Sequence, residues 1–272
     1  MGDENKIIVP FLKWAGGKRW LVSNNFQLFP TSFNRYIEPF LGSGAVFFSL
    51  RPRQAILSDL NADLIKTYRA IRDDWRKVVR VLGIHDKNHS ANYYYEIRES
   101  TPSTKWSHAA RFIYLNRTCW NGLYRVNLNG EFNVPIGTKT NVLLESDKFA
   151  EISKLLVRSK IFCTDFETTI NSAGNNDFLF VDPPYTVKHK LNGFIKYNEN
   201  LFGWKDQIRL RDSLYRAANR GAVIMLTNAD HSSIRKLYGS KFKLLEIERH
   251  SVLSASAKFR KKVDELVITN YL

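Results

Sequence analysis

The eight residues FLFVDPPY, at 178–185, place an apolar run directly before a carboxylate, two prolines and an aromatic ring. The run predicts a buried strand. The prolines end its ladder, because each lacks an N–H and holds φ near about −65°. In open α/β sheets, ligands bind outside the carboxyl ends of the strands, which is where such a turn would stand. Asp182 and the Pro183 carbonyl are two acceptors in a rigid turn, and Tyr185 offers a flat face. That set matches an exocyclic aromatic amine, with both N–H groups donated to the acceptors and the base stacked on Tyr185. Such hydrogen bonding draws the nitrogen lone pair out of conjugation and directs it at a methylsulfonium. It also stabilises the positive charge that develops on nitrogen. The substrate is then the nucleophile, so no covalent intermediate with the protein is needed, and neither Cys119 nor Cys163 stands in an active-site motif. A strand terminator explains the prolines but not the whole tetrad, so Asp182, Pro183, Pro184 and Tyr185 are the candidate catalytic residues.

A second strand, turn and helix start is visible in YIEPFLGSGAVFF, at 36–48. Gly42 and Gly44 let backbone approach a ligand, and the helix that follows presents N–H donors. Asp59 follows seventeen residues after Gly42, at the end of the next strand. A carboxylate there can accept from both hydroxyls of a ribose. Phe47 stands where a third glycine would complete G-x-G-x-x-G, which weakens a dinucleotide reading. S-adenosylmethionine has no pyrophosphate to cradle and needs only a looser turn. By itself the turn is equally compatible with a purely structural strand-to-helix junction. The stretch FLKWAGGKRWL, at 11–21, joins Gly16 and Gly17 to Trp14 and Lys18. It reads either as backbone folded over a ligand, with Lys18 facing a carboxylate, or as a buried tryptophan beside a surface turn. Alone it favours the latter.

These motifs need elements to hold them. Strands are predicted at 36–41, 55–58, 161–164, 178–181, 222–227 and 263–271, with helices at 43–50, 147–158 and 205–219. The alternation indicates an α/β doubly wound sheet. Residues 242–250 and 263–271, joined by a Ser/Ala/Lys-rich loop, read as an antiparallel hairpin on it. Residues 61–145 break the alternation. A helix at about 61–82, a polar stretch, a second helix near 107–117 and a Gly/Asn/Pro-rich functional loop or hairpin at 120–137 form an insertion between two βα units.

Length and composition bound the class. A chain of 272 residues with 44% hydrophobic content is one large domain, or one domain carrying an inserted module, and not a disordered tail. No stretch approaches the ~20 apolar residues of a membrane span, and the acidic start MGDENKIIVP excludes a secretory signal. Two cysteines cannot make a disulfide framework or a structural zinc site, and point to a reducing cytosol. Lys and Arg number 41 against 26 Asp and Glu, a net charge of +15, which exceeds what solubility requires and points to nucleic acid.

Taken together, FLKWAGGK, EPFLGSG, the aspartate of SDLN, NGLYRVNLNGEFNVPIG and DPPY stand in the order of the Dam-type DNA adenine-N6 methyltransferases, which act on GATC. The resemblance covers essentially the whole chain, and RKKVDELVITNY at 260–271 is similar to the family's closing strand. It implies an α/β, Rossmann-like, S-adenosylmethionine-dependent methyltransferase fold with an inserted, mostly helical target-recognition domain. The catalytic domain would be 1–60 and 146–272, and the insertion 61–145. The resemblance implies that Trp14, Lys18, Asp59 and Asp182 line the S-adenosylmethionine site, with Glu38, Pro39, Phe40 and Gly42 passing beneath it. Asp165 and Phe166 would meet the cofactor adenine, the carboxylate accepting from its amino group and the ring beside the purine. In the insertion, Arg125 resembles the arginine that reads a guanine edge. Trp120 and Asn121 fall where the family wedges an aromatic into the base stack and contacts DNA beside it, which would offset the lost stacking of an extruded adenine. Leu123 and Pro135 match apolar contacts to the site, and Lys13, outside the insertion, would also face DNA. The implied partner is double-stranded DNA, a cognate restriction endonuclease is compatible, and a monomer in the cytoplasm suffices. No metal is expected.

The chain departs from that pattern in three places. Trp120 replaces the usual Tyr or Phe, Thr227-Asn228-Ala229-Asp230 only approximates the family motif, and 251–260 diverges. Transfer to cytosine N4 or to a glutamine side chain is the runner-up chemistry, disfavoured by Asp at 182 and by the DNA-like insertion. A DNA-binding protein that has lost catalysis is a further reading, opposed by intact Asp59 and Asp182. His85 and His89 lack companion ligands. Lys258, Arg260, Lys261 and Lys262 read as a solvated face, and Tyr93, Tyr94 and Tyr95 as packing within the insertion.

Overall fold

A computed structural model describes residues 8–122, 124–127, 130–186, 202–250 and 262–272. Leu123, the loop 251–260 and Lys261 lie outside the described residues. The chain forms two compact units, one of Met1–Val22, Leu41–Ala55 and Asp59–Cys163, the other of Ser23–Phe40, Ile56–Ser58 and Thr164–Leu272.

Seven strands make one mixed sheet: β1 (Tyr36–Glu38), β2 (Ala55–Asp59), β3 (Ser159–Cys163), β4 (Phe178–Val181), β5 (Val223–Ala229), β6 (Lys243–His250) and β7 (Lys262–Thr269), in the order β3-β2-β1-β4-β5-β7-β6. β1, β4 and β5 are parallel neighbours, with Tyr36 beside Phe178 and Val181 beside Leu226. β7 runs antiparallel between β5 and β6, as the hairpin reading expects. From β1 the chain proceeds to β2 and β3 on one side, then returns to lay β4 on the other. The topological switch point is therefore the β1–β4 pair, the place where doubly wound sheets bind ligands.

Three helices belong to the second unit: α7 (Phe166–Asn171), α8 (Trp204–Asn219) and α9 (Ser232–Tyr238). α8 buries Leu210, Leu214 and Ala217, one face at helical spacing, into a core with Ile37, Leu179, Val181, Ile224, Leu226 and Ile268. Asp206 accepts the Gly203 N–H at 2.9 Å and so fixes the start of α8. β1 and β4 are buried along their length, as a both-faces-covered sheet requires, but β3, expected to be buried on both faces, lies at the sheet edge and leaves Lys160, Phe162 and Cys163 exposed.

In the first unit, α2 (Ala45–Leu50) follows β1, and α3 (Ala62–Asn88) packs on α5 (Lys105–Thr118) and on α6 (Phe149–Val157). Asn61 caps α3 by accepting the Leu64 N–H. The sequence predicts one helix ending near 82, but Asp74 leaves helical geometry, at φ −162° and ψ 85°. Its carboxylate accepts the Lys77 N–H at 3.3 Å, and the helix restarts through to Asn88. The supposed polar stretch contains α4 (Ala91–Glu99), capped by Ser90 and burying only Tyr94, so its single apolar contact left little periodicity to read. In the same unit, buried Arg117 donates to the Phe11 and Val142 carbonyls and, in a two-pronged pair, to Asp147. No helix among the described residues is long and apolar enough to cross a membrane.

Candidate active site

The second unit carries the tetrad. Parallel pairing of β1 with β4 sets Glu38-Pro39-Phe40 and Asp182-Pro183-Pro184-Tyr185 at adjacent carboxyl ends of the switch point. Thr227, on β5 and alongside the end of β4, donates its hydroxyl to Asp182 Oδ1 at 2.7 Å, which sets the rotation of that carboxylate. The Tyr185 hydroxyl donates to Glu265 Oε2, on β7, at 2.8 Å. Burial first, then the carboxylates of Asp182 and Glu265, drive the Tyr185 pKa far above that of an ordinary phenol, so it stays a neutral donor. The buried Tyr36 hydroxyl is pushed up in the same way, by burial and by Glu38.

Pro39 is buried, and its carbonyl accepts the Ser58 hydroxyl at 3.4 Å; Ser58 also shares a 2.7 Å hydrogen bond with Thr169 of α7. Phe40 stacks on Phe166 at 5.4 Å. Phe166 is built into the core at 2% exposure, and the Arg209 guanidinium lies 4.4 Å from its ring. Asp165 caps α7, accepting the Glu167 N–H at 2.9 Å and Arg209 at 2.7 Å.

The first unit holds the glycine turn. Gly42 sits at φ +47°, and a Cβ there would stand 2.7 Å from the Trp14 indole, so the missing side chain lets Trp14 lie on the backbone. The Gly42 N–H donates to Asp59 Oδ2 at 3.0 Å and the Asn61 N–H to Oδ1 at 2.9 Å. Burial raises the Asp59 pKa while these backbone donors lower it. The Tyr68 hydroxyl donates to the Gly42 carbonyl at 3.0 Å. Lys18, only 3% exposed, donates to the Gly16 carbonyl at 2.7 Å. A carboxylate aligned by two N–H groups is the acceptor a ribose diol needs, and a shielded ammonium is the donor an α-carboxylate needs. The residues present fit S-adenosylmethionine.

The same unit carries the predicted DNA contacts. Segment 119–137 folds back on itself through bridges Cys119–Ile136 and Val126–Phe132, and the Gly137 N–H donates to Thr118 at the end of α5 at 2.7 Å. Tyr124 packs between Phe112 and Phe132, with ring centroids 4.2 and 4.9 Å away, and the Tyr94 hydroxyl holds the Val134 carbonyl. Phe132 and Val134 turn inward while Asn133 and Pro135 turn out. Trp120 is 55% exposed, with its N–H on the Pro135 carbonyl, and Asn121 and Arg125 are exposed too. The backbone of Lys13 is clamped by the Asn116 amide, which accepts from its N–H at 2.9 Å and donates to its carbonyl at 2.8 Å. Burial, then the neighbouring Lys139 ammonium, lower the Lys13 pKa. Sequence reasoning missed Glu265, Tyr68, Asn116 and Arg209, which act across separations of up to 103 residues that no local motif encodes.

A family model described as D12 class N6 adenine-specific DNA methyltransferase matches residues 14–253. The type II methyltransferase M1.LlaDCHI of Lactococcus lactis subsp. cremoris is 35% identical over 279 residues, covering 99% of this chain and 98% of its own. The type II methyltransferase M.MjaIII of Methanocaldococcus jannaschii is 34% identical, with 97% and 99% covered. The DNA adenine methylase of Escherichia coli strain K12 is 30% identical, with 94% and 93% covered. With a doubly wound sheet, an aspartate–proline–proline–tyrosine turn at its switch point and matches of this extent, the chain belongs to the D12 class N6 adenine-specific DNA methyltransferases.

Proposed function

We propose that this adenine-specific DNA methyltransferase uses S-adenosylmethionine to methylate N6 of an adenine extruded from double-stranded DNA, within GATC. When bound, S-adenosylmethionine supplies a methyl group on an electrophilic sulfonium. Asp182 and the Pro183 carbonyl accept the two N6 hydrogens, and the Tyr185 ring carries the base. Held in this way, N6 would keep its lone pair out of ring conjugation and free to take the methyl group, and the proton it then sheds would leave to solvent, so Asp182 need not act as a strong base. Asp59 takes the ribose hydroxyls, and Lys18 and Trp14 the methionine end. Glu38, Pro39, Phe40 and Gly42 underlie the ligand, and Asp165 with Phe166 serves its adenine. The observation that carries the reading is Asp182, aligned by Thr227 at the carboxyl end of β4.

Residues 61–145 then recognise the target, and 1–60 with 146–272 carry out the transfer. Exposed Arg125 reads a guanine edge, Trp120 wedges into the stack, and Asn121, Pro135, Leu123 and Lys13 complete the contact. The support is the exposure of Trp120, Asn121, Arg125 and Pro135 in a segment that buries Phe132 and Val134 and packs Tyr124 on Phe112. Relatives named as type II methyltransferases support a cognate restriction endonuclease as the partner to seek. A DNA substrate supports a cytoplasmic setting, and one chain suffices for the reaction. DNA incubated with the protein and S-adenosylmethionine should resist a nuclease blocked by methylated GATC. DNA that carries methyl groups yet stays fully cleavable excludes GATC, and DNA with no N6-methyladenine excludes the reading.

A further inference from the structure

We propose that Glu265 is a positioning residue for methyl transfer, its carboxylate holding the Tyr185 phenol so that the ring meets the extruded base at one fixed angle. This rests on the reading that the target adenine stacks on Tyr185. Tyr185 lies in the turn after β4, and Glu265 lies two strands away on β7, opposite Ala229 of β5. The 2.8 Å hydrogen bond therefore spans the width of β5 and ties the far end of the ring to the sheet. Fixing both ends of a tyrosine removes its χ1 and χ2 freedom, which is how a stacking surface is preorganised.

The choice of residue supports a functional tie. Glu265 is 2% exposed and is followed by buried Leu266, Val267 and Ile268. An apolar side chain would suit such a strand without the cost of desolvating a carboxylate. A charge-assisted bond fixes the phenol oxygen more tightly than packing alone. Thr227, 1% exposed on the intervening strand, orients Asp182 in the same manner. Two adjacent strands thus hold the two ends of the tetrad.

The test compares wild type, Tyr185→Phe, Glu265→Leu, Glu265→Gln and the Tyr185→Phe/Glu265→Leu double variant. Each is assayed with tritiated S-adenosylmethionine on unmethylated DNA. Tyr185→Phe and Glu265→Leu are each expected to lower kcat about tenfold, with KM for DNA within about twofold. The double variant should be no slower than either single one, because both remove the same hydrogen bond. Glu265→Gln keeps an acceptor and should recover most of the rate. A second readout is binding to a duplex with 2-aminopurine at the mapped target position. Its emission should be higher in the Tyr185→Phe and Glu265→Leu complexes than in wild type, because a ring that can turn quenches less. Tyr185→Phe needs no change in β7, so it decides the matter even if Glu265→Leu fails to fold. Wild-type turnover and emission in Tyr185→Phe, or losses that multiply in the double variant, overturn the inference alone. A wild type that shows no extruded adenine overturns the functional reading and the inference with it.

Discussion

At the scale of the residue, reactivity here depends on how polar groups are aligned by neighbours. Asp182 accepts a threonine hydroxyl, and Asp59 accepts two backbone N–H groups. Each carboxylate is thereby turned toward a defined direction before any ligand arrives. Asp182→Ala removes the acceptor whose contact strengthens as charge develops on N6, so kcat should fall about 10²-fold or more while DNA affinity changes little. Single-turnover assays beside filter binding separate the two quantities, and normal methylation by the variant would refute the mechanism. Exposed Arg125 is proposed to read a base instead. Arg125→Ala should cost ~1–3 kcal/mol of discrimination at one base pair, seen as relaxed specificity at that position in a panel of altered sites. A uniform loss on every sequence would make Arg125 a phosphate contact.

At the scale of the element, α3, α4 and α5 are tied together by buried polar and aromatic side chains. His85 of α3 shares a 2.8 Å hydrogen bond with the Tyr93 hydroxyl of α4 and lies against the Tyr114 ring of α5. Burial lowers its pKa from 6.5 to about 4. Because the folded value is depressed, the unfolded chain takes up a proton that the folded chain refuses. The stability from this group is therefore present above about pH 6.5 and is lost as pH falls toward 4. At pH 5 the loss should reach about 2 kcal/mol. Urea unfolding of wild type and His85→Gln at pH 7.5 and 5 checks this, and an equal pH slope in both would show that His85 does not carry it. The neutral ring beside tyrosines also accounts for the histidines as packing residues. Tyr94 is buried and Tyr93 packs on Tyr114, but Tyr95, read as packing, is exposed and meets the Tyr94 ring only edge-on.

At the scale of the whole molecule, charge governs the partner. A net +15 on 272 residues makes counterion release a large part of DNA binding. The observed association constant should fall steeply and linearly on a log–log plot as salt rises from about 50 to 200 mM, for specific and random duplexes alike. A flat dependence would mean that the excess charge serves something other than DNA. Replacing Arg125 should reduce specificity with little change in that slope, whereas replacing Lys13 should reduce the slope by about one if its ammonium meets a phosphate.

Local chemistry was legible in the sequence because it is written in contiguous residues. A strand running into prolines, a glycine turn before a helix, and apolar runs short enough for a buried sheet each depend on neighbours within a few positions, and FLFVDPPY and EPFLGSG landed where their types predict. The break at Asp74 and the helix Ala91–Glu99 were not legible, because one rests on a single cap and the other buries one face residue. Only the tertiary structure decided which side chains complete the site. Strand order brings Thr227 to Asp182 and Glu265 to Tyr185, and packing lays Trp14 on Gly42 and Asn116 on Lys13. Partners tens to a hundred residues apart are selected by the free energy of the assembled core, and that is a property of the folded chain rather than of any stretch of it.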